Sequence, residues 1–197
     1  MCFYLFFHNF FLDDLILTFF SVSYPLNVSY YTISGALSIV GNIGFDNVKG
    51  LAFDPFGKLW SGSDQGLLQI DIGTGIGTVL DITPASINSL AWNQDGTKLF
   101  TTTNNSPNSS TLWVYDTQGW QIACEGLPKK VESLETMPDG FLIYSFHQDT
   151  ELAIHTFDAD TCQTITENIV VTPYNVRVLL GQIGLVNQLN LNYCKLI

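Results

Sequence analysis

Three segments of the chain repeat one another: "VKGLAFDPFGKLW" at residues 48–60, "INSLAWNQDGTKLF" at 87–100 and "VESLETMPDGFLIY" at 131–144. Leu51, Leu90 and Leu134 align, as do Gly57, Gly96 and Gly140, and the leucines are 39 and 44 residues apart. A period of this size constrains the fold more than any composition, because each unit must be one supersecondary element stacked on the next.

Each unit continues in the same order. After the glycine comes an apolar run ("KLWSG", "KLFTTT", "FLIYSF"), then a second ("GLLQID", "TLWVYD", "LAIHTFD"), then a turn entered at Asp71, Asp116 or Asp158, and a last run ("IGTVLDI", "WQIACEG", "CQTITENIV"). Four short β-rich runs separated by turns predict an antiparallel meander, strands A to D of one propeller blade. The turn residues carry the mechanism. Asp54 and Pro55 suit the first two positions of a type I turn, and Gly57 takes positive φ at little cost. "QDG" and "PDG" at 94–96 and 138–140 serve the same turn. Trp60, Phe100 and Tyr144 read as the aromatics that pack between blades, with Trp92 and Trp113.

Upstream, "SGALSIVGNI" at 34–43 lies over "GTGIGTVLDI" at 73–82, so the array opens on part of a strand C and a strand D and then runs three units, near 47–82, 87–126 and 131–170. The fold class expected is all-β, a partial or degenerate β-propeller of four-stranded antiparallel blades, about three and a half of them over residues 31–171. Residues 1–30 and 172–197 flank it as weakly specified segments, although "YNVRVLLG" at 174–181 reads as the start of one more strand. An open arc would leave its terminal blades uncovered, so either the ends supply a degenerate fourth blade, or copies self-associate to cover the edges, or the chain is a fragment of a longer propeller.

Residues 1–20 hold seven of the 14 Phe, yet no Lys or Arg precedes Lys49, so the positive region of a secretory signal is missing. Asp13 and Asp14 break the apolar run where a membrane span would be centred. The readings left open are a core-facing run, an interface segment or an upstream extension of the reading frame. The net charge is −11, with 7 Lys and Arg against 18 Asp and Glu, and only Lys129 and Lys130 adjoin. A nucleic-acid backbone or an anionic membrane needs clustered cations, so neither is the expected partner.

Cys2, Cys124, Cys162 and Cys194 show no C-x-x-C spacing and no nearby His, which excludes a zinc motif or a dithiol motif and leaves small apolar core residues as the expectation. His147 is expected in the loop between strands B and C of the third unit and His155 on its strand C, both exposed, with no Ser or Asp beside them to suggest a triad. The glycines of "IGTGIG" precede no helix-forming segment, so they are no phosphate loop. Asp71, Asp116 and Asp158 read as turn residues. Asn27, Asn104 and Asn108 begin N-x-S sequons, which matter only in a eukaryotic secretory pathway.

The stretch "GLAFDPFGKLWSGSDQGLLQIDIGTG" at 50–75 resembles repeats of bacterial β-propellers of the YVTN, NHL and gluconolactonase-like type, over roughly residues 31–171. The Trp-Asp and Gly-His of WD repeats are lacking, and no unit reads "YVTN". The resemblance implies a site at the channel mouth, in the column just before each strand A, which here holds Lys49, Asn88 and Glu132. In gluconolactonase-like enzymes such positions supply oxygen ligands to a divalent cation such as calcium, so Asn88 and Glu132 are the candidate ligands. A protonated Lys49 cannot ligate, and residues 1–30 contain no Glu to match the family's N-terminal one.

No catalytic and no cofactor-binding residue is assigned. The expected function is a non-enzymatic binding scaffold meeting a protein or small-molecule ligand at its loop face. The alternatives are a metal-dependent hydrolase of the gluconolactonase type and a truncated gene product without a function of its own. The resemblance points to a secreted or periplasmic protein, without a clear signal peptide.

Overall fold

A computed structural model describes residues 6–8, 18–23, 27–31, 37–106, 109–128, 130–148 and 151–171. Cys2, Cys194, Asn108, Asp13, Asp14 and the segment 174–181 lie outside them, as do the side chains of His147 and Asn105.

The described residues form strands and turns, with no helix, in four antiparallel sheets of four strands each. The first holds β1 (Phe6–His8), β2 (Thr18–Ser23), β3 (Asn27–Tyr31) and β4 (Leu37–Asn42). The second holds β5 (Lys49–Phe53), β6 (Leu59–Ser63), β7 (Gly66–Ile70) and β8 (Gly77–Asp81). The third holds β9 (Ile87–Trp92), β10 (Leu99–Ser106), β11 (Ser109–Asp116) and β12 (Gly119–Pro128). The fourth holds β13 (Val131–Thr136), β14 (Leu142–Gln148), β15 (Glu151–Asp158) and β16 (Gln163–Val171). Each sheet is a meander in chain order, and the first strands pack side by side, β1 on β5, β5 on β9 and β9 on β13. This is the blade arrangement of a β-propeller. The sequence repeat begins at a strand C, whereas the first sheet also takes in β1 and β2.

The A–B turns form as their chemistry requires. Gly57, Gly96 and Gly140 have φ of 81°, 71° and 91°, and each amide donates to the carbonyl three residues back, on Asp54, Asn93 and Met137. Asp54 is 4% exposed; its Oδ1 accepts from the amides of Phe56 and Lys58, and its Oδ2 from Trp60 Nε1 at 3.0 Å. The C–D turns close on Asp71, Asp116 and Asp158, whose carboxylates accept from the amides of Gly73, Gln118 and Asp160. Hydroxyl donation from Thr74 and Thr161 holds the Asp71 and Asp158 carboxyls below the usual carboxylate range.

Blades pack through alternate residues of the inner strands. Val48, Leu51 and Phe53 face back onto Val28 and Ile43; Ile87, Leu90 and Trp92 face back onto Ala52 and Leu67; Val131 and Leu134 face back onto Ala91 and Phe100. Each leucine is at most 2% exposed, burial that contributes about 1.5–3 kcal/mol apiece. The alanine one residue on faces forward, toward the next blade. The B strands are read in register by Phe53–Leu59, Trp92–Leu99 and Thr136–Leu142. The residue equivalent to Trp60 and Phe100 is therefore Ile143, not Tyr144. One residue flips a strand side chain to the other face, and Tyr144 lies in the core shared with the third blade. Trp60 packs on Trp92 across blades, ring centroids 5.1 Å apart.

Three expectations are overturned. Cys124 and Cys162 are not free core thiols: they form a disulfide, α-carbons 5.6 Å apart, from β12 to the C–D turn of the next blade. Sequence spacing suggested no partner because the pairing is between blades. His155 is not an exposed strand residue but 9% exposed, because it stands on the β15 face that carries Ala153 and Phe157 into the core. His147 falls within β14 rather than in a loop.

Candidate functional site

The candidate column lies where each inner strand begins, and the register breaks there in all three complete units. Lys49 pairs with Gly62 and Leu51 with Ser61; Ile87 pairs with Thr103 and Ser89 with Thr102; Val131 pairs with Phe146 and Ser133 with Ser145. One residue is left over each time, Gly50, Asn88 or Glu132. Such bulges bend the strand and re-aim a side chain. Gly50 supplies its bulge with φ of 65°, and a β-carbon there would stand 2.6 Å from Leu90 Cδ2. The structure thus brings Lys49, Asn88 and Glu132 to the same end of adjacent strands β5, β9 and β13, each partly exposed.

Below the bulges the blades are tied by buried hydroxyls. Ser61 Oγ donates to the Gly50 carbonyl at 2.6 Å, Ser89 and Thr102 share a hydrogen bond of 2.5 Å, and Ser133 and Ser145 one of 2.6 Å. These pairs fix the A–B spacing under the column without charge. Asn88 is less settled: its Nδ2 is buried without a hydrogen-bond partner. A buried donor left unmade costs about 1–3 kcal/mol; Trp92 Nε1, Thr101 Oγ1 and Trp120 Nε1 are likewise buried without a partner, and Asn88 is the one of the four in the column.

Around the column the loops are cross-linked. Asp64, in the β6–β7 turn, accepts from Asn47 Nδ2 at 2.5 Å and from Ser86 Oγ at 3.2 Å, joining the loops that lead into β5 and β9. In the next blade Ser110 Oγ donates to Asn104 Oδ1 at 2.8 Å and accepts from the Val131 amide at 3.3 Å. Sequence reasoning passed over Asp64, since a lone Asp in a tight turn looks like its neighbours.

Two titratable groups lie away from this end. Glu135 is 4% exposed, accepts from the Thr136 amide at 3.1 Å, and is pushed up to about 8 by burial. His155 stands in one row with Tyr144 and Glu167 across β14, β15 and β16, with Tyr144 Oη 3.3 Å from its Nδ1. Burial lowers the His155 pKa, against the opposing charge of Glu167. Among the described residues no three His, Cys, Asp or Glu side chains gather as a metal cluster.

No protein-family model matches the sequence, and no curated protein matches it. Solved structures do. A chain of the nidogen/laminin complex superposes with a TM-score of 0.58 at 10% identity, over 84% of this chain and 78% of that one. An auxiliary nutrient binding protein from Bacteroides thetaiotaomicron gives 0.55 at 14% identity, over 77% of this chain and 38% of that one. TolB from Acinetobacter baumannii gives 0.54 at 18% identity, over 78% and 40%. This chain thus spans about two fifths of the latter two. At such identities the likeness shows the fold: an all-β chain of four-stranded antiparallel propeller blades.

Proposed function

We propose that the chain is a non-enzymatic binding module, and that a protein or small-molecule ligand meets the loop end of the inner strands at Lys49, Asn88 and Glu132. The observation that carries this reading is the register break at the start of each inner strand, which leaves over Asn88 and Glu132 and, in the first unit, Gly50 next to Lys49, so that three chemically different polar side chains meet at one end, one with a buried donor lacking a partner. A structural role would favour one residue type repeated, as it does for the turn aspartates and glycines. An orphan N–H calls for an acceptor from outside, such as a carbonyl or carboxylate. The fold neighbours include a chain of a protein–protein complex and a protein named as nutrient-binding, which fits a binding role.

The gluconolactonase-type reading needs a divalent cation held by Asn88 and Glu132. The column does not fit it: Glu132 alone brings negative charge, and Lys49 brings a positive charge to the same end. The Cys124–Cys162 bond further supports an oxidising compartment, secreted or periplasmic, for the folded chain.

Thermal melts with calcium and with zinc test the two readings. The binding module predicts no metal-dependent shift; a shift abolished by Asn88→Ala would establish the metal site instead. Affinity capture then tests the module itself: wild-type chain retains a ligand that the Lys49→Ala/Asn88→Ala/Glu132→Ala variant releases, and equal retention by both removes the column from the reading.

A further inference from the structure

At the loop end of the seam between the second and third blades, two glycines bring the inner strands together. Lys49 pairs with Gly62, and a β-carbon on Gly62 would stand 2.4 Å from Ile87 Cβ; one on Gly50 would stand 3.1 Å from Ser89 Cα. With no side chain at either place, β5 and β6 press on the start of β9 and leave Lys49 and Asn88 as neighbours across the seam.

Asp64 pins the two chain segments that lead into this pair. Its Oδ2 accepts from Asn47 Nδ2, two residues before Lys49, and its Oδ1 from Ser86 Oγ, two residues before Asn88. Both oxygens are thereby engaged by neutral donors, and among the described residues Lys49 makes no ion pair with Asp64 or with any other carboxylate. Asn88 Nδ2 has no acceptor. A cation without a counter-charge and an amide N–H without an acceptor thus stand side by side, on segments that one carboxylate ties together.

We propose that Lys49 and Asn88 form a subsite for one carboxylate group of the ligand, with Asp64 as the residue that positions them. The subsite rests on the binding reading above and names the chemistry of its ligand. The Lys49 ammonium supplies the charge and the Asn88 amide a directed N–H, donors that bond an ionised acceptor more strongly than a neutral one. Asn88 is partly exposed, so a turn of its side-chain amide presents that N–H to the ligand. One cation beside Asp64, in a chain of net charge −11, suits a monoanion. A phosphate dianion calls for a second cation, and the loop end of this seam offers none among the described residues. Either a free small carboxylate or the C-terminal end of a peptide carries the group.

Titration of the native chain with sodium acetate, followed by NMR at the Asn88 side-chain amide, tests the subsite. A saturable shift is expected that sodium chloride at equal ionic strength does not produce and that Lys49→Met, folded by its melt, weakens about five- to tenfold. Equal shifts from both salts, or a Lys49→Met variant that titrates like wild type, overturn the subsite. Asp64 is tested by sign. Loss of its charge alone would strengthen anion binding, whereas loss of the tie weakens it. Asp64→Ala should weaken acetate binding about two- to tenfold, while Asp64→Asn, which keeps an acceptor oxygen without the charge, should not. Tighter binding by Asp64→Ala overturns the positioning role. Acetyl-dialanine with a free carboxyl identifies a peptide end if it binds about tenfold tighter than acetate, and a small carboxylate if the two bind alike. Equal binding by its C-terminal amide overturns the carboxylate. A ligand held in the capture experiment while acetate leaves Asn88 unmoved would remove the subsite and keep the binding reading.

Discussion

Cys124 and Cys162 sit 38 residues apart in sequence and 5.6 Å apart at their α-carbons, joined through sulfur from the outer strand of one blade to the C–D turn of the next. The junction two blades earlier is made without a bond. There Gly77 N donates to the Ile43 carbonyl at 2.9 Å, and a β-carbon on Gly41 would stand 2.0 Å from the Thr74 carbonyl oxygen. Bare backbone closes the first seam of the array and a covalent link closes the third.

The covalent seam should be visible on reduction. Closing a loop of this size stabilises by about 2–4 kcal/mol. Cys162→Ser, or a melt in reductant, should lower the melting temperature by about 5–15 °C. A melt unchanged by reductant would show that the fourth blade docks fully without the bond.

The backbone seam has its own test. Gly41→Ala drives a methyl into the Thr74 carbonyl, which forces the first two sheets apart. A loss of about 1–3 kcal/mol in chemical denaturation is expected, whereas Gly119→Ala, whose added β-carbon meets nothing within 4 Å, carries only the cost of its φ of 87°.

Asp54 and Asp139 separate buried from exposed turn chemistry. Asp54→Ala removes three hydrogen bonds at a nearly buried site, including that to Trp60 Nε1. It should cost about 2–4 kcal/mol, because the indole N–H is left without its acceptor. Exposed Asp139 accepts from the Phe141 amide at 3.2 Å, and Asp139→Ala should cost about 1 kcal/mol or less. Equal losses would mean that the Trp60 bond contributes nothing.

Glu135 sets a pH dependence whose sign is fixed. Its folded pKa is raised from 4.5 to about 8 by burial, so the folded chain holds a proton that the unfolded chain releases. Stability is full below the unfolded value, and it is lost as pH rises through that window toward the folded value. Glu135→Gln should therefore raise the melting temperature at pH about 8.5 and change it little at pH about 4. A variant less stable than wild type at the higher pH would show that the carboxylate is paired rather than buried neutral.

The turns and strands were legible because their causes are local. Asp54, Pro55 and Gly57 specify a reversal within four residues, and Leu51 with its counterparts marks the buried face by alternation alone. The candidate column was legible as a column, since Lys49, Asn88 and Glu132 hold equivalent places, but the bulges at Gly50, Asn88 and Glu132 were not, because they appear only when each strand is paired with its neighbour. The disulfide had a signal that spacing rules for metal or redox motifs do not use: 38 residues is close to one repeat, so two cysteines so spaced fall on adjacent blades. Nothing in "VESLETMPDG" distinguishes Glu135 from a solvated strand residue, and His155 read as exposed for the same reason.

The sequence by itself determined a meander of short strands, the place of every A–B and C–D turn in three units, and the period that makes those units blades. Hydrogen-bonded turns and two-residue alternation are settled by neighbours along the chain. The tertiary structure decided which face of each sheet meets another sheet. That choice buries Glu135 and His155, joins Cys124 to Cys162, brings β1 and β2 into a first sheet, and sets Lys49, Asn88 and Glu132 at one end of three packed strands, because contacts one repeat apart exist only once the blades are stacked.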